Sequence, residues 1–463
     1  MSLAQRLPPH KGSGWLFEGP ASVAFARPWF DQLSSRILEK RLFPLFRLWA
    51  AAAIAEQDVD RFCAESRIGP LDRSGRKLAL RLMCETTSAL KEKDDTDSDW
   101  EVLYFGVDRP SPESLVSAEV ARRGAAAKFL AQRHKFRPLA RGRNFGIVRF
   151  EPASMKEMEE FYGDWLADPD SAYPTPDQMP EIEVSHSVLS QTGKCFWLRF
   201  LSSGRKIRDT AWAKIIEPVD AKSAPTLIYC HGLGEETELR SRFLDETPAL
   251  VDMGVRVIRL DAPWHNRRFV AGRWSGEPFL GAAPGGPVYL FEAQLRELAI
   301  LTKWCRSRFG TPVAIGGLSM GAMTAQLAAY RANAWPLEMQ PDALFLAANS
   351  EDMWEVCFDG RVGKRAGVAD SVRAAGWSDD ALGRVRQLTN PIGLPVMPPD
   401  RIVVKLGLAD DVMPYSSGAS LVERWRVPAQ NVFERNQGHF TVPMSMVRNP
   451  RAFRRLASIL HSL

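Results

Sequence analysis

The sequence predicts an α/β fold, with an eight-stranded, mostly parallel β-sheet flanked by helices and a mainly helical region before it. After residue 183, short β-rich runs alternate with helix-length stretches, which is typical of a parallel sheet covered on both faces. Before residue 168, helical patterns prevail. Residues 168–183 contain four prolines, which interrupt helices and favour extended or turn backbone. We therefore expect a helical N-terminal domain at residues 1–180 and an α/β domain at residues 181–463.

The individual elements follow from the hydrophobic periodicity. Eight strands are expected at residues 195–201, 211–216, 226–230, 255–260, 312–315, 343–348, 402–406 and 431–434. Helices of the second domain are expected at residues 290–309, 321–331, 417–425 and 450–461. In the first domain, helices are expected at residues 28–40, 45–65 and 112–136, with a short strand at residues 100–107. A further helix is expected to begin at Ser154, because Glu157 follows it three residues later as in a capping box.

Composition excludes several classes of protein. Of the 463 residues, 45% are hydrophobic and 25% are charged, which is ordinary globular usage and argues against a disordered chain. The net charge of +5 is small for this length and does not predict a nucleic-acid partner. The six cysteines form no C-x-x-C pair and the seven histidines include no H-E-x-x-H motif. We therefore expect reduced thiols and no metal site.

The apolar segments are too short to cross a membrane. The strongest apolar run, residues 42–55, contains Pro44 and Arg47 and falls short of the roughly 20 residues that a bilayer requires. Prolines and charges near the N-terminus stand where a secretory signal would need an unbroken apolar stretch. These features predict a cytoplasmic protein.

The first chemical signal is a G-x-S-x-G motif, which ends at Gly321 and has Ser319 at its centre. An apolar run precedes the motif, and a helical pattern follows it. Such a context predicts a sharp strand-to-helix turn that presents the serine hydroxyl as a nucleophile. Glycines are needed on both sides because a β-carbon there would collide with neighbouring backbone.

A nucleophilic serine needs a base to accept its proton and a carboxylate to orient that base. Asp410 and His439 each follow a predicted strand, and the carboxyl ends of strands are where open α/β sheets bind ligands. The chain order Ser, Asp, His is the one that strand-turn-helix nucleophiles of this type use. Asp411 is the alternative acid. Asp410 is favoured by its offset from Gly407 and from the Val-Met-Pro that follows.

An oxyanion formed at the reacting carbonyl needs hydrogen-bond donors. The strand predicted at residues 226–230 ends in a His-Gly-Leu-Gly sequence, and we assign the backbone amides of Leu233 and Met320 as the donors. His231 and His265 lie in loops where a histidine commonly anchors backbone by hydrogen bonds. We expect both to be structural.

Taken together, these motifs resemble an α/β-hydrolase-fold serine hydrolase across residues 181–463. The motifs are H-G-L-G at 231–234, G-L-S-M-G at 317–321, G-L-A-D-D-V-M-P at 407–414 and Q-G-H-F at 437–440. The segment at 261–265 is similar to the loop after the fourth strand of dienelactone-hydrolase-like and acetyl-esterase-like members. The N-terminal helices and residues 285–304 resemble a eukaryotic α/β-hydrolase-domain family associated with phospholipid deacylation.

This resemblance implies a hydrolase that cleaves a small-molecule carboxylic ester through an acyl-enzyme intermediate and needs no cofactor. The same residues could hydrolyse a phospholipid or an acyl thioester. A different reading is a lipid-surface or docking protein in which the hydrolase core is secondary.

Two further segments leave alternatives open. Residues 121–145 carry eight basic side chains and no acidic one, and could bind phosphate, acyl-CoA or an anionic membrane surface. The acidic side chains at residues 85–101 could instead neutralise this run, which is the favoured reading. Residues 351–400, with Trp354, Phe358 and Trp377, are either a cap over the active site or a helical insertion that packs its aromatic rings inward.

Overall fold

The computed structural model describes residue 7, residues 27–236 and residues 245–463. Its N-terminal region is helical. The helices are α1 Pro28–Ile37, α2 Phe43–Ile54, α3 Val59–Ser66, α4 Arg73–Phe105, α5 Pro112–Ala131, α6 Arg137–Ala140 and α7 Met155–Ala167. A single π-helical turn, Leu38–Leu42, joins α1 to α2, and a 3₁₀ turn, Gln132–Phe136, follows α5. At the start of α7, the Ser154 side chain accepts a hydrogen bond from the Glu157 amide at 3.1 Å, which confirms the predicted cap.

The helix predicted at residues 45–65 is in fact two helices. After α2, Glu56 and Gln57 adopt positive φ values of 51° and 65°, which are incompatible with a continuing right-handed helix. Asp58 then caps α3 by accepting hydrogen bonds from the amides of Asp60 and Arg61 at 2.8 and 3.2 Å. Polar turn residues therefore outweigh the apolar periodicity on either side.

The strand predicted at residues 100–107 is wrong, because α4 continues as far as Phe105. Trp100 and Tyr104, four residues apart, are both fully buried and stack with ring centroids 4.3 Å apart, while Val102 is 76% exposed. This is the burial pattern of one helix face. The aromatic residues that suggested a strand instead pack against Trp197 and Trp212 of the sheet.

The sheet is mixed and mostly parallel, as predicted. Its strands are β1 Glu183–Val184, β2 Val188–Leu189, β3 Lys194–Leu201, β4 Thr210–Glu217, β5 Thr226–Cys230, β6 Arg256–Leu260, β7 Val313–Leu318, β8 Ala343–Ala347, β9 Ile402–Gly407 and β10 Val432–Arg435. Their order is β1-β3-β4-β6-β5-β7-β8-β9-β10, with β2 paired to β3. From β6 to β10 neighbouring strands are parallel, whereas β3 and β4 are antiparallel. The eight strands β3–β10 are the eight predicted ones, and β1 and β2 are short additions.

The helices of the C-terminal part cover both faces of this sheet. They are α8 Pro248–Asp252, α9 Glu277–Gly281, α10 Gly285–Phe309, α11 Met320–Arg331, α12 Arg361–Ala366, α13 Val368–Ala374, α14 Asp379–Thr389, α15 Tyr415–Arg424, α16 Thr441–Arg448 and α17 Arg451–Ser462. The four predicted helices correspond to α10, α11, α15 and α17. Within residues 351–400, Trp354 and Trp377 are buried, and the Trp377 indole donates to the Ala153 carbonyl at 2.8 Å. These rings pack inward.

Two hydrophobic cores lie on the two sides of the sheet, and both include N-terminal side chains. Leu48 and Trp49 of α2 join the core that contains Ile228 and Ile315. Trp100 of α4 joins the core on the other face. Each core therefore contains side chains from before and from after residues 168–183. The division into two domains at this segment stays a prediction. Among the described helices, none combines the length and apolar character of a membrane span.

The basic run at residues 121–145 is largely paired with acidic side chains. The ion pairs are Lys128–Glu92, Lys135–Glu85 at 2.6 Å, Arg122–Glu119 at 3.0 Å and Arg133–Glu236 at 3.4 Å. Arg122 also lies 3.8 Å from Asp97. The expected neutralisation by acidic side chains of residues 85–101 is thus confirmed at Glu85, Glu92 and Asp97.

Candidate active site

Ser319 occupies the turn between β7 and α11. Its backbone has φ 57° and ψ −121°, a conformation that a non-glycine residue adopts only when its surroundings impose it. The serine amide donates to the Ala347 carbonyl at 2.9 Å, and its own carbonyl accepts from the Met323 amide at 3.0 Å. The neighbouring strand β8 and the helix after the turn therefore hold Ser319 in this strained geometry, which the G-x-S-x-G motif predicts.

The two glycines of the motif are needed for close backbone contact. A β-carbon on Gly321 would lie 2.1 Å from the carbonyl oxygen of Cys230, and one on Gly317 would lie 2.5 Å from the same oxygen. Cys230 ends β5, which is paired to β7. Only glycine lets the turn pack this tightly against the neighbouring strand.

His439 and Asp410 form a buried pair at the carboxyl ends of β9 and β10. The histidine Nδ1 lies 2.9 Å from Asp410 Oδ2, and the two side chains are 11% and 2% exposed. The other carboxylate oxygen accepts from the amides of Val412 and Met413 at 3.0 and 2.8 Å. This turn fixes the acid locally. Because Nδ1 donates to the carboxylate, Nε2 is left with the lone pair that can accept a proton.

Asp411 faces a different partner. Its carboxylate lies 3.1 Å from an Arg361 guanidinium nitrogen and its side chain is 54% exposed. The Asp411 carbonyl also accepts from the Arg361 amide at 2.8 Å. The geometry therefore favours Asp410 as the partner of the histidine, and Asp411 serves as the contact to α12.

The pKa of His439 is raised above its ordinary value. Burial by itself lowers this pKa, but the charge and the hydrogen bond of Asp410 raise it, and the charges of Asp31 and Asp411 raise it further. The carboxylates outweigh desolvation because they stabilise the imidazolium directly. An imidazolium formed during catalysis would be stabilised in the same way.

The two predicted oxyanion donors lie near Ser319. Met320 is the first residue of α11, so its amide has no partner within the helix. Leu233 follows Gly232, whose added β-carbon would lie 3.5 Å from the Ser319 β-carbon. No hydrogen bond from either amide to another described residue is present.

His231 and His265 support this loop rather than the reaction, as expected. His231 Nε2 accepts from the Ala262 amide at 3.1 Å, and His265 Nε2 accepts from the Gly234 amide at 3.2 Å. The Nδ1 atoms lie 2.9 Å from the Gly232 carbonyl and 2.8 Å from the Pro263 carbonyl. Burial and the neighbouring His231 lower the pKa of His265, which keeps that ring neutral.

The strand register places the serine and the acid–histidine pair on one edge of the sheet. Leu318 is paired with Ala347, and Ala347 is paired with Lys405. One strand therefore separates the ends of β7 and β9, which corresponds to about 10 Å. Among the described residues, the Ser319 hydroxyl forms no hydrogen bond, so Ser319 and His439 are not hydrogen-bonded to each other in this structure.

One side chain at this site was not predicted. Asp31 of α1 is buried and accepts hydrogen bonds from the loop that carries His439. It lies about 400 residues before that loop, and no motif in the sequence links the two.

Within residues 27–236 and 245–463, no group of three His, Cys, Asp or Glu side chains is arranged to hold a metal ion.

Comparison with known proteins gives structural similarity at low sequence identity. No protein-family model matches the sequence, and no curated protein matches it. Acetyl xylan esterase 1 from Thermoanaerobacterium sp. JW/SL YS485 is 14% identical, with 65% of this chain and 96% of that chain covered and a TM-score of 0.43. An esterase from Pyrobaculum calidifontis is 15% identical, with 68% and 94% covered and a TM-score of 0.38. Oligopeptidase B from Leishmania major is 12% identical, with 62% and 46% covered and a TM-score of 0.39.

The architecture itself identifies the fold. Ten strands, of which β3–β10 are the eight predicted ones, form a mostly parallel sheet flanked by helices, and a serine lies on a strained strand-to-helix turn at its carboxyl edge. Acid and histidine follow on later strands in the expected order. The chain has the α/β-hydrolase fold.

Proposed function

We propose that this protein is a serine hydrolase that cleaves a carboxylic ester through an acyl-enzyme intermediate. The observation that carries the proposal is the buried His439–Asp410 pair, 2.9 Å long, on the same sheet edge as the strained Ser319. A base that is oriented by a buried carboxylate has little structural purpose at a sheet edge, whereas it is what a serine nucleophile requires.

The proposed reaction has two acyl transfers. His439 Nε2 removes the Ser319 proton as the hydroxyl oxygen attacks the ester carbonyl, and the oxyanion accepts hydrogen bonds from the Leu233 and Met320 amides. The imidazolium then gives its proton to the departing alkoxide, which leaves as the alcohol. Water, deprotonated by the same histidine, attacks the acyl-enzyme, and the carboxylic acid and the free serine are released.

Asp410 has a supporting role in both steps. Its hydrogen bond to Nδ1 selects the tautomer whose Nε2 is basic, and its charge stabilises the imidazolium.

An ester is proposed rather than an amide because an alkoxide leaves more readily than an amine nitrogen. The ester reaction therefore places the smaller demand on proton delivery from His439.

The test uses the Ser319→Ala variant and a fluorophosphonate probe, which labels activated serines covalently. We expect the wild-type protein to be labelled and S319A to be unlabelled and inactive on p-nitrophenyl esters. Ser223→Ala, at an exposed serine, is the matched control and should retain both properties. Labelling of S319A at the wild-type level would reject the proposal.

The same assay separates the ester readings. A series of p-nitrophenyl esters of increasing acyl length should show a short-chain preference if the substrate is a small ester. A preference for long chains would instead favour the phospholipid or acyl-thioester alternative.

A further inference from the structure

A carboxylate from the N-terminal helix α1 is buried beneath the loop that carries His439. Asp31 Oδ1 accepts from the amides of Phe440 and Thr441 at 2.7 and 3.0 Å, and Oδ2 accepts from the Gly438 amide at 3.0 Å. The Thr441 hydroxyl donates to Oδ2 as well. The Asp31 side chain thus binds the residues immediately before and after the histidine, and only 6% of Asp31 is exposed.

This contact is shaped for a carboxylate. A β-carbon on Gly438 would lie 2.6 Å from the Asp31 carboxyl carbon, so glycine is what lets the loop close over the acid. No Lys or Arg pairs with Asp31 in the described part of the chain. Its negative charge is stabilised by amide and hydroxyl donors. Hydrogen bonds from such donors to a carboxylate are charge-assisted and stronger than neutral hydrogen bonds.

A second tether joins the same segment to the acid loop. Glu39, in the turn after α1, pairs with Arg361 at the start of α12. Arg361 in turn contacts Asp411, the neighbour of Asp410, through its side chain at 3.1 Å and through its amide at 2.8 Å. The loops after β9 and β10 are therefore both held from the N-terminal region.

We propose that Asp31 is a positioning residue for His439, which holds the histidine loop in place and stabilises the imidazolium formed during catalysis. This inference rests on the proposed function. It assigns the N-terminal helix a part in catalysis, because Asp410 orients the ring of the proposed base while a carboxylate from α1 holds the loop that carries it.

The charges around His439 agree with this role. Burial lowers its pKa, whereas Asp410, Asp31 and Asp411 raise it. Asp411 is itself paired with Arg361 at 3.1 Å. Removing the charge of Asp31 must therefore lower the pKa of His439. Since the neutral histidine is the active base, the acid limb of the pH profile for kcat/KM should move to lower pH.

The experiment compares Asp31→Asn, Asp31→Ala and the control Gln32→Ala. Gln32 is the exposed neighbour of Asp31 on the same helix. We expect D31A to lower kcat by about 100-fold, the scale of a misplaced catalytic group. D31N retains one carbonyl acceptor and the shape of the side chain, so we expect a smaller loss of kcat together with the shifted acid limb. KM should change little, because Asp31 contacts the loop and not the substrate.

Two further measurements keep the test decisive. An NMR titration of the His439 imidazole should show a lower pKa in D31N than in the wild type, whether or not the protein is active. Gly438→Ala, which forces the loop away from Asp31, should reproduce the loss of kcat. If D31A fails to fold, D31N and the titration decide the question.

The failure of each proposal can be distinguished. A wild-type protein that fluorophosphonate does not label contradicts the proposed function, whereas a labelled wild type with D31N unchanged in kcat and in acid limb overturns the role of Asp31. A loss of kcat in D31N with an unmoved histidine pKa would also overturn it, because the residue would then be merely structural.

Discussion

The proposed nucleophile and the proposed base of this site are held in place in different ways. Ser319 is positioned by its own motif and by the adjoining strands of the sheet, because its amide donates to Ala347 of β8 and its two flanking glycines pack against Cys230 of β5. Asp410 is also fixed locally, by hydrogen bonds from the amides of Val412 and Met413. The loop of His439 is held by Asp31, 408 positions earlier in the chain.

This difference indicates which parts of the site can vary independently. The serine turn depends on its own motif and on the strands beside it, so changes in the N-terminal helices should leave it intact. The position of the histidine loop depends on how helix α1 packs, so it would connect the N-terminal region to the proposed reaction. Variants that act on one side but not the other test this comparison.

The largest effect is expected at the acid of the locally fixed pair. Asp410→Asn keeps the shape of the side chain, but its amide favours the wrong tautomer of His439. A reduction of kcat by about 10⁴-fold is the expected scale for this change. Asp411→Asn should lower kcat by less than about tenfold, because an exposed ion pair contributes little. Both variants are assayed with the same p-nitrophenyl ester.

Thermal unfolding is the control for these two variants, and both should unfold near the wild-type temperature. A severe loss in D411N beside a mild one in D410N would move the catalytic acid to Asp411. It would also show that the histidine pair is rearranged when substrate binds.

The sequence was informative wherever a function depends on neighbouring residues. The G-x-S-x-G turn, the Asp410 loop and the eight main strands were predicted because each follows from a short pattern of residue types. The strand predicted at residues 100–107 was wrong for a related reason. The preference of β-branched and aromatic residues for strands is weak, and packing of the same side chains on a helix face can outweigh it. Here Trp100 and Tyr104 both lie on the buried face of α4.

Long-range polar contacts were not predictable. In the sequence, nothing distinguishes Asp31 from an ordinary helix residue, and Arg47 is only a charge that interrupts an apolar run. Their roles depend on buried partners far along the chain, Gly438 to Thr441 for Asp31 and Glu277 for Arg47. Hydrogen bonds of this kind leave no periodic pattern in the sequence of either partner.

Arg47 provides the next test, at a second long-range contact of the N-terminal region. Its guanidinium pairs with Glu277 at 2.8 Å, and the two side chains are 1% and 0% exposed. The Glu277 carboxylate also accepts from the Trp274 amide at 2.9 Å. Arg47→Met should lower the free energy of unfolding by about 3 to 5 kcal/mol, because it leaves a buried charge without its cation. Chemical denaturation measures this change.

The control for Arg47 is an exposed ion pair between N-terminal helices. Arg76 pairs with Asp60 at 2.6 Å, with side chains 44% and 77% exposed, so Arg76→Met should change the free energy of unfolding far less than Arg47→Met does. Adding Glu277→Gln to Arg47→Met should recover part of the loss. Equal effects of R47M and R76M would contradict the expectation that burial makes the Arg47–Glu277 pair costly to break.

The smallest effect concerns Lys405, which lies behind the histidine loop. Its ammonium donates to the Gln437 side chain at 3.2 Å, and the residue is 4% exposed. Burial, together with the charge of Arg435, lowers the pKa of Lys405 to about 8. Between pH 8 and its ordinary pKa of 10.5, the unfolded chain binds the proton more tightly, so this group makes the free energy of unfolding rise with pH.

At pH 7 the charged lysine therefore costs stability. Lys405→Met should raise the free energy of unfolding there by about 1 to 3 kcal/mol, and the gain should shrink as the pH approaches 10. Lys222→Met, at an exposed lysine, should show neither change. A gain for K405M that is equal at pH 7 and pH 10 would show that packing, and not the charge, is the cause. A large loss of kcat in K405M would instead show that the Lys405–Gln437 hydrogen bond, like Asp31, holds the histidine loop in place.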